Sequence, residues 1–181
     1  EGTVHVAGLD AGRLGQRIRR AIGVVTHDPL LYDELTAYEN LGFIGRMFGL
    51  DRLDDRIDSV ARQMGVTARL HQRVGTLSHG LRKRLTIARA LLHDPLVLLM
   101  DEPESGLDQE AQLMLDAVVH DRERPFRTVL MTTHNLERGL ALGNRLAILA
   151  RGVIAHQEPV GSETGAASLR DAYFRHTGAA L

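Results

Sequence analysis

Cysteine is absent from the 181 residues, so the chain has neither a disulfide framework nor a thiolate metal site, and a reducing compartment is compatible with it. No apolar run reaches the roughly 20 residues that span a bilayer, and no signal-peptide pattern is present. Any membrane role is therefore expected to come through a partner. An excess of one charge is missing too. The 22 basic and 23 acidic residues leave a formal net charge of −1, which gives no net electrostatic reason to expect nucleic acid or an anionic membrane as a partner. Lysine is almost missing, with Lys83 alone. A phosphate loop of the form G-x-x-x-x-G-K-[ST] cradles phosphates with backbone N–H groups while its lysine reaches the β and γ oxygens. No such loop occurs here, and Gly8, Gly12 and Gly15 do not replace it. What is present, 44% hydrophobic residues, suffices for a substantial core in one domain or one domain with a lobe.

The run Leu96-Val97-Leu98-Leu99-Met100-Asp101-Glu102-Pro103 ends an apolar stretch in adjacent carboxylates. Its pattern is that of a strand covered on both faces in a parallel sheet. Ligands bind at the carboxyl ends of such strands. There Asp101 can hold Mg²⁺ directly or through water, and Glu102 can take a proton from an attacking water. A strand followed by a merely acidic turn is the plainer alternative.

The surroundings of this run carry a resemblance. Leu77-Ser78-His79-Gly80-Leu81-Arg82-Lys83-Arg84 lies upstream, and Ser105-Gly106-Leu107-Asp108 and then Thr132-Thr133-His134 lie downstream. In this order and spacing they resemble the signature motif, the Walker B strand with its D-loop, and the switch histidine of ABC transporter ATP-binding subunits. The resemblance covers nearly the whole chain. It implies an α/β fold, a P-loop NTPase-like parallel sheet core with a helical lobe and short antiparallel β elements. The lobe is expected at about 30–94, the core at 1–29 and 95–158, and a linker with a terminal helix at 159–181. The opening Glu1–Gly8 resembles the short strand after the phosphate-binding helix. A fragment of a longer gene product is therefore expected, the alternative being a degenerate domain that does not hydrolyse ATP.

The resemblance also implies site roles. ATP and Mg²⁺ are the expected ligands, with Asp101 ordering the metal through water, Glu102 polarising the attacking water and His134 stabilising the γ-phosphate. Ser78 and Gly80 would complete the site of a second ABC ATPase domain, and Asp108 would couple the two sites. His27 stands where the family's Q-loop has glutamine; an imidazole is a poorer Mg²⁺ ligand than oxygen, and an exposed loop histidine explains it equally well. His79 replaces a common glycine and Leu81 a common glutamine. Residues 31–41 and 133–139, with His27, look like the haem exporter ATPase of cytochrome c maturation. The implied setting is the cytoplasmic face of the inner membrane, peripheral, with transmembrane permease subunits as partners and no nucleic acid. Rival readings are a non-hydrolysing docking module on a membrane partner and the ATPase of a multidrug-type exporter.

Local signals place these motifs. Thr36 and Glu39 form a capping box for a helix to about Phe48. A second helix is expected over about 51–64, with Leu53, Ile57, Val60 and Ala61 on one face. Ser78 caps a third, whose buried stripe is Leu81, Leu85, Ala88 and Leu92 and whose Arg82, Lys83, Arg84 and Arg89 are expected to turn away. Residues 1–25 read as short strands and turns. A helix from Gln109 to about Arg122, a buried strand Thr128–Thr132, a helix over 135–142 and a hairpin turning at Arg151-Gly152 complete the chain. The remaining histidines show no ligand-like pairing, so no zinc site is expected.

Overall fold

The computed structural model describes residues 2–12, 15–161 and 165–178. They divide into two units, Glu1–Thr132 and Thr133–Leu181, and the expected linker and terminal helix at 159–181 lie partly outside the described residues.

The first unit opens with β1 (His5–Val6) and β2 (Leu9–Asp10), an antiparallel pair. A short helix, α1 (Gly15–Ala21), leads into β3 (Ile22–Val25). This helix corrects the reading of 1–25 as strands and turns. Ile18, 5% exposed, anchors a seven-residue helix too short to show a full apolar period. Helices α2 (Ala37–Phe48), α3 (Leu53–Gln63) and α4 (His79–Leu91) follow, with 3₁₀ turns at Thr67–Arg69 and Val74–Thr76. The Thr36/Glu39 capping box is formed at the start of α2, and Gly49 closes that helix in the left-handed conformation. Strand β4 (Val97–Asp101), helix α5 (Gln109–Val119) and strand β5 (Thr128–Thr132) complete the unit.

The sheet order is β3-β4-β5, all parallel, with Val25 opposite Met100 and Asp101 opposite Thr132. Helix α4 lies against β3, α2 and α3, and the core of the unit gathers Leu41, Ile57, Met64, Leu85, Leu98 and Leu115, all fully buried. Apolar area removed from water at about 25 cal/mol per Å² holds these layers together.

Coverage of the sheet departs from the sequence pattern. Leu98 and Met100 are buried, but Val97 and Leu99 on the other face are only half-buried and Leu96 is 50% exposed. In β5, expected to be buried, Leu130 is 65% exposed. Among the described residues β5 is an edge strand with one packed face, and an apolar run does not reveal which face has a partner.

The turn from α4 into β4 is held by ions. Asp94 adopts a φ of 54° and accepts hydrogen bonds from Arg124 Nε at 2.5 Å and Arg127 Nη2 at 2.7 Å. Partial burial pushes the Asp94 carboxyl up, but the Arg124 hydrogen bond and the charges of Arg124, Arg127 and Arg56 outweigh it and hold it below the usual range. A depressed carboxylate contributes stability that is fully present above its unfolded pKa of about 3.9 and is lost as pH falls through the lower folded value. Asp94→Asn should therefore lower stability near neutral pH by about 1 kcal/mol, the small size following from solvent screening of a half-exposed pair. It should also flatten the loss of stability below about pH 4; urea melts from pH 3 to 7 test both.

The second unit contains α6 (Leu136–Leu142), the antiparallel hairpin β6 (Arg145–Ala150) and β7 (Val153–Pro159), and α7 (Ala166–Thr177). Its own small core is Ile148, Leu169 and Ala172. Arg151 and Gly152 both take positive φ at the hairpin turn, the geometry a two-residue hairpin loop needs.

Candidate functional site

Parallel pairing delivers three chain segments to one edge of the sheet. Thr26 and His27 follow β3, Asp101 and Glu102 end β4 and pass beyond it, and Thr132 ends β5. Asp101 is exposed and Glu102 half-buried. The Thr132 hydroxyl donates to Asp101 Oδ1 at 2.5 Å. The Glu102 N–H donates both to the Thr132 carbonyl and to its Oγ1, each at 3.2 Å. Glu102 has a φ of 41°, so the chain breaks from the strand at this residue and turns through Pro103, which is buried. A non-glycine residue in the left-handed region costs about 1–3 kcal/mol and is retained where its surroundings fix it; here Thr132 does so.

Helix α4 faces the turn that follows. Ser78, its N-cap, accepts a hydrogen bond from the Leu81 N–H at 3.4 Å, which leaves N–H groups of the first turn available to an anion. Arg84 Nη2 donates to both carboxylate oxygens of Asp108, at 2.7 and 2.9 Å, and to Glu110 Oε2 at 3.2 Å. Asp108 in turn caps α5 by accepting from the Ala111 N–H at 2.8 Å. That backbone hydrogen bond, together with Arg84, outweighs desolvation and holds the Asp108 carboxyl below its ordinary range. Burial pushes the Lys83 ammonium down, while the carboxylates of Glu104, Asp101 and Glu102 draw it back up.

These contacts correct the expectation that the basic residues of α4 turn away. Lys83 and Arg84 are 9% and 7% exposed, and Arg89 donates to the Val24 carbonyl at 2.9 Å. Buried guanidinium and ammonium groups need partners. The α5 cap Asp108 and the first turn of α5, Glu110, serve Arg84, and the acids at the end of β4 and in the turn after it surround Lys83. The helical spacing from Gly80 to Arg84, and from His79 to Lys83, was the available signal: residues four apart share a face.

The structure thus brings Asp101, Glu102 and His27 to one sheet edge, and Ser78, Gly80 and Asp108 to the α4 and α5 termini of the same unit. His27 is exposed, and the Thr26 hydroxyl donates to the Asp28 carbonyl at 2.6 Å in the same loop. His134 is an exposed residue of the second unit, followed by Asn135, which caps α6 by accepting from the Arg138 N–H at 3.1 Å. Thr132, which the motif reading did not single out, is the direct hydrogen-bond partner of the acid pair. Its position opposite Asp101 follows from strand register, which the sequence does not encode locally. No group of three or more metal-ligating side chains forms among the described residues.

A second concavity, an open groove of about 440 Å³, lies between the loop after β3 and helix α2. It is lined by Leu30, Leu31, Tyr32, Phe43, Ile44, Met47 and Arg89. Tyr32 and Phe43 meet edge to face at 5.6 Å, and Met47 is 67% exposed.

Comparison with known proteins agrees with this geometry. The chain is 32% identical over 160 residues to the ABC transporter ATP-binding protein NatA of Bacillus subtilis, covering 87% of this chain and 65% of that protein. It is 36% identical over 153 residues to Nod factor export ATP-binding protein I of Rhizobium sp. strain N33, covering 83% and 50%. The linearmycin resistance ATP-binding protein LnrL of Bacillus subtilis is 33% identical over 153 residues, covering 83% and 49%. The chain therefore spans about half to two thirds of the length of these curated relatives. Among solved structures, an ATP-binding subunit of an ABC transporter superposes with a TM-score of 0.81 at 24% identity, over 100% of this chain and 73% of that one. The dimeric post-hydrolysis state of the ATP-binding cassette MJ0796 bound to ADP and Pi does so with a TM-score of 0.76 at 24% identity, over 90% and 75%. The shared fold is the α/β arrangement with a parallel core sheet and attached helices. The family model for ABC transporters matches residues 1–105, more than half of the chain, and with relatives above 30% identity this makes the chain a member of the ABC transporter family, on its ATP-binding side.

Proposed function

We propose that this chain forms the part of an ABC transporter ATP-binding subunit that orders Mg²⁺, activates water and presents the signature helix during ATP hydrolysis coupled to export. One observation carries the reading: Asp101 ends the central strand of a parallel sheet with Glu102 next to it, both bonded to Thr132, and Arg84 of α4 holds Asp108 beyond the following turn.

The donor chemistry fits the metal. Asp101, beside the Thr132 hydroxyl, offers carboxylate oxygen at an exposed strand end, the kind of donor Mg²⁺ selects, and one carboxylate with retained waters would be a common way of holding it. Mg²⁺ bound there would neutralise charge on the phosphates. The Thr132 hydroxyl donates to Oδ1 of Asp101 and holds that carboxylate at the strand end, where Asp101 would hold Mg²⁺ through water. Glu102, held at its backbone by Thr132, takes a proton from the water that attacks the γ-phosphate. His134 donates to that phosphate, and Ser78 with the adjacent α4 N–H groups contacts the nucleotide of a second ATPase domain. Asp108, tied to Arg84, transmits the position of one site to the other. His27, at the same sheet edge, would be placed to hydrogen-bond a water or a phosphate oxygen.

The groove of Leu30, Tyr32, Phe43 and Met47 supports transmembrane permease subunits as partners, because an apolar hollow with an aromatic wall suits a packed partner helix. Among the described residues no helix is long and apolar enough to cross a membrane, which fits a peripheral subunit at the cytoplasmic face of the inner membrane. Export is favoured by the names of the Nod factor and linearmycin relatives. Haem, suggested by residues 31–41 and 133–139, is one candidate cargo.

The test is steady-state phosphate release by the purified complete gene product carrying this chain. ATP hydrolysis should require Mg²⁺ and vanish with a chelator. ATP-independent docking on a membrane partner, without hydrolysis under any metal condition, would establish the non-catalytic module instead.

A further inference from the structure

Helix α4 begins with an imidazole where the signature pattern commonly has glycine, and that imidazole is placed against a glycine of another loop. Gly106 has a φ of 75°, and a Cβ built on it would lie 2.6 Å from both Cε1 and Nδ1 of His79. The ring therefore covers the side of Gly106 on which any other residue would carry its side chain. One residue on, a Cβ at Gly80 would stand 3.3 Å from the Gly106 carbonyl oxygen. A glycine at position 79 would leave this face of Gly106 bare.

The loop that His79 touches is short and internally braced. The Ser105 N–H donates to the Glu102 carbonyl at 3.2 Å and the Leu107 N–H to the Glu104 carbonyl at 3.1 Å. Leu107 is 8% exposed. Glu102 stands at one end of this loop and Asp108 at the other, and Asp108 is already held from α4 by Arg84. Arg84 lies five residues beyond His79, so the helix grips the loop twice, by a charged bond at Asp108 and by ring contact at Gly106. With the Asp108 end tied by Arg84, the ring contact at Gly106 is a second point at which α4 meets the loop, between that end and Glu102.

We propose that His79 is a positioning residue for hydrolysis: it acts through Gly106, setting where the 102–108 loop holds Glu102 relative to the start of α4. This rests on the hydrolytic reading above. The contact is one of shape, so a flat ring without a titrating group should serve, and the effect should appear in turnover rather than in nucleotide affinity.

The experiment compares MgATP hydrolysis by the complete gene product with its His79→Gly, His79→Phe, Gly106→Ala and His79→Gly/Gly106→Ala variants. An NMR measurement of the nuclear Overhauser effect between His79 Hε1 and the Gly106 α-protons accompanies it. His79→Gly should lower kcat by on the order of tenfold, because small misplacements of a reacting group are costly, with KM for ATP little changed. His79→Phe should restore most of kcat and leave the pH profile as in the wild type. Gly106→Ala should lower kcat, and removing the ring in that background should recover part of the loss rather than add to it. The Overhauser effect should be present in the wild type. Unchanged kcat in His79→Gly, a loss confined to KM, no rescue by phenylalanine, or no Overhauser effect would each overturn the proposal. A wild type that shows the Overhauser effect but no ATP hydrolysis would instead overturn the hydrolytic reading on which the positioning role rests.

Discussion

Glu102→Gln in the complete gene product should still bind ATP and turn it over about 10²–10⁴-fold more slowly, the range for removal of a general base. The amide has the shape of the carboxylate but cannot accept the proton of the attacking water. The substitution should leave the fold alone, because what fixes residue 102 is its backbone: φ is 41°, and its N–H donates to two oxygens of Thr132. The readout is single-turnover hydrolysis beside equilibrium binding of the nucleotide. Near-normal turnover would remove Glu102 from the chemistry. Loss of binding together with turnover would show that the residue holds the nucleotide rather than activating water.

Gly23→Ala should destabilise the first unit by about 1–3 kcal/mol, and toward the upper end, because the added methyl meets atoms that cannot swing aside. Its Cβ would stand 2.4 Å from the Ala90 carbonyl oxygen, 2.8 Å from Leu98 Cδ2 and 2.9 Å from Pro95 Cγ. The first of these is backbone of α4, so relief requires the helix to move away from β3. That helix carries Ser78, His79 and Arg84, and the variant should therefore lose stability and hydrolysis together. Chemical denaturation of the variant would show a lower midpoint at an unchanged slope. A midpoint equal to the wild type would mean that α4 and β3 are less closely packed than the structure shows.

The sequence was most legible where the information is local. The Thr36/Glu39 box, the Ser78 cap and the Arg151-Gly152 turn all formed as read, because each depends on backbone groups within a few residues. The strand ending in Asp101-Glu102 was equally plain, since a long apolar run followed by charges has few other uses in a small α/β domain. Less legible was anything set by a neighbour distant in the chain. Leu130 lies in an apolar strand and is mostly exposed, because burial depends on what packs on the sheet face. Lys83 and Arg84 belong to a run of basic residues that reads as a solvated face. They are buried because the segment after β4 folds onto α4, with Asp108 at the start of α5 and Glu110 in its first turn bonded to Arg84. Ile18 buries a helix too short to announce itself.

By itself, then, the sequence determined the family, the order of the motifs and the identity of the acids that carry the proposed chemistry, because these lie in contiguous residues whose types and spacing have narrow physical meanings. Tertiary structure alone decided that Thr132 fixes the acid pair, that Arg84 clamps Asp108, and that His79 lies on Gly106. Each of these contacts joins residues between 24 and 31 positions apart, and parallel-strand register and helix docking, not local propensity, choose such partners.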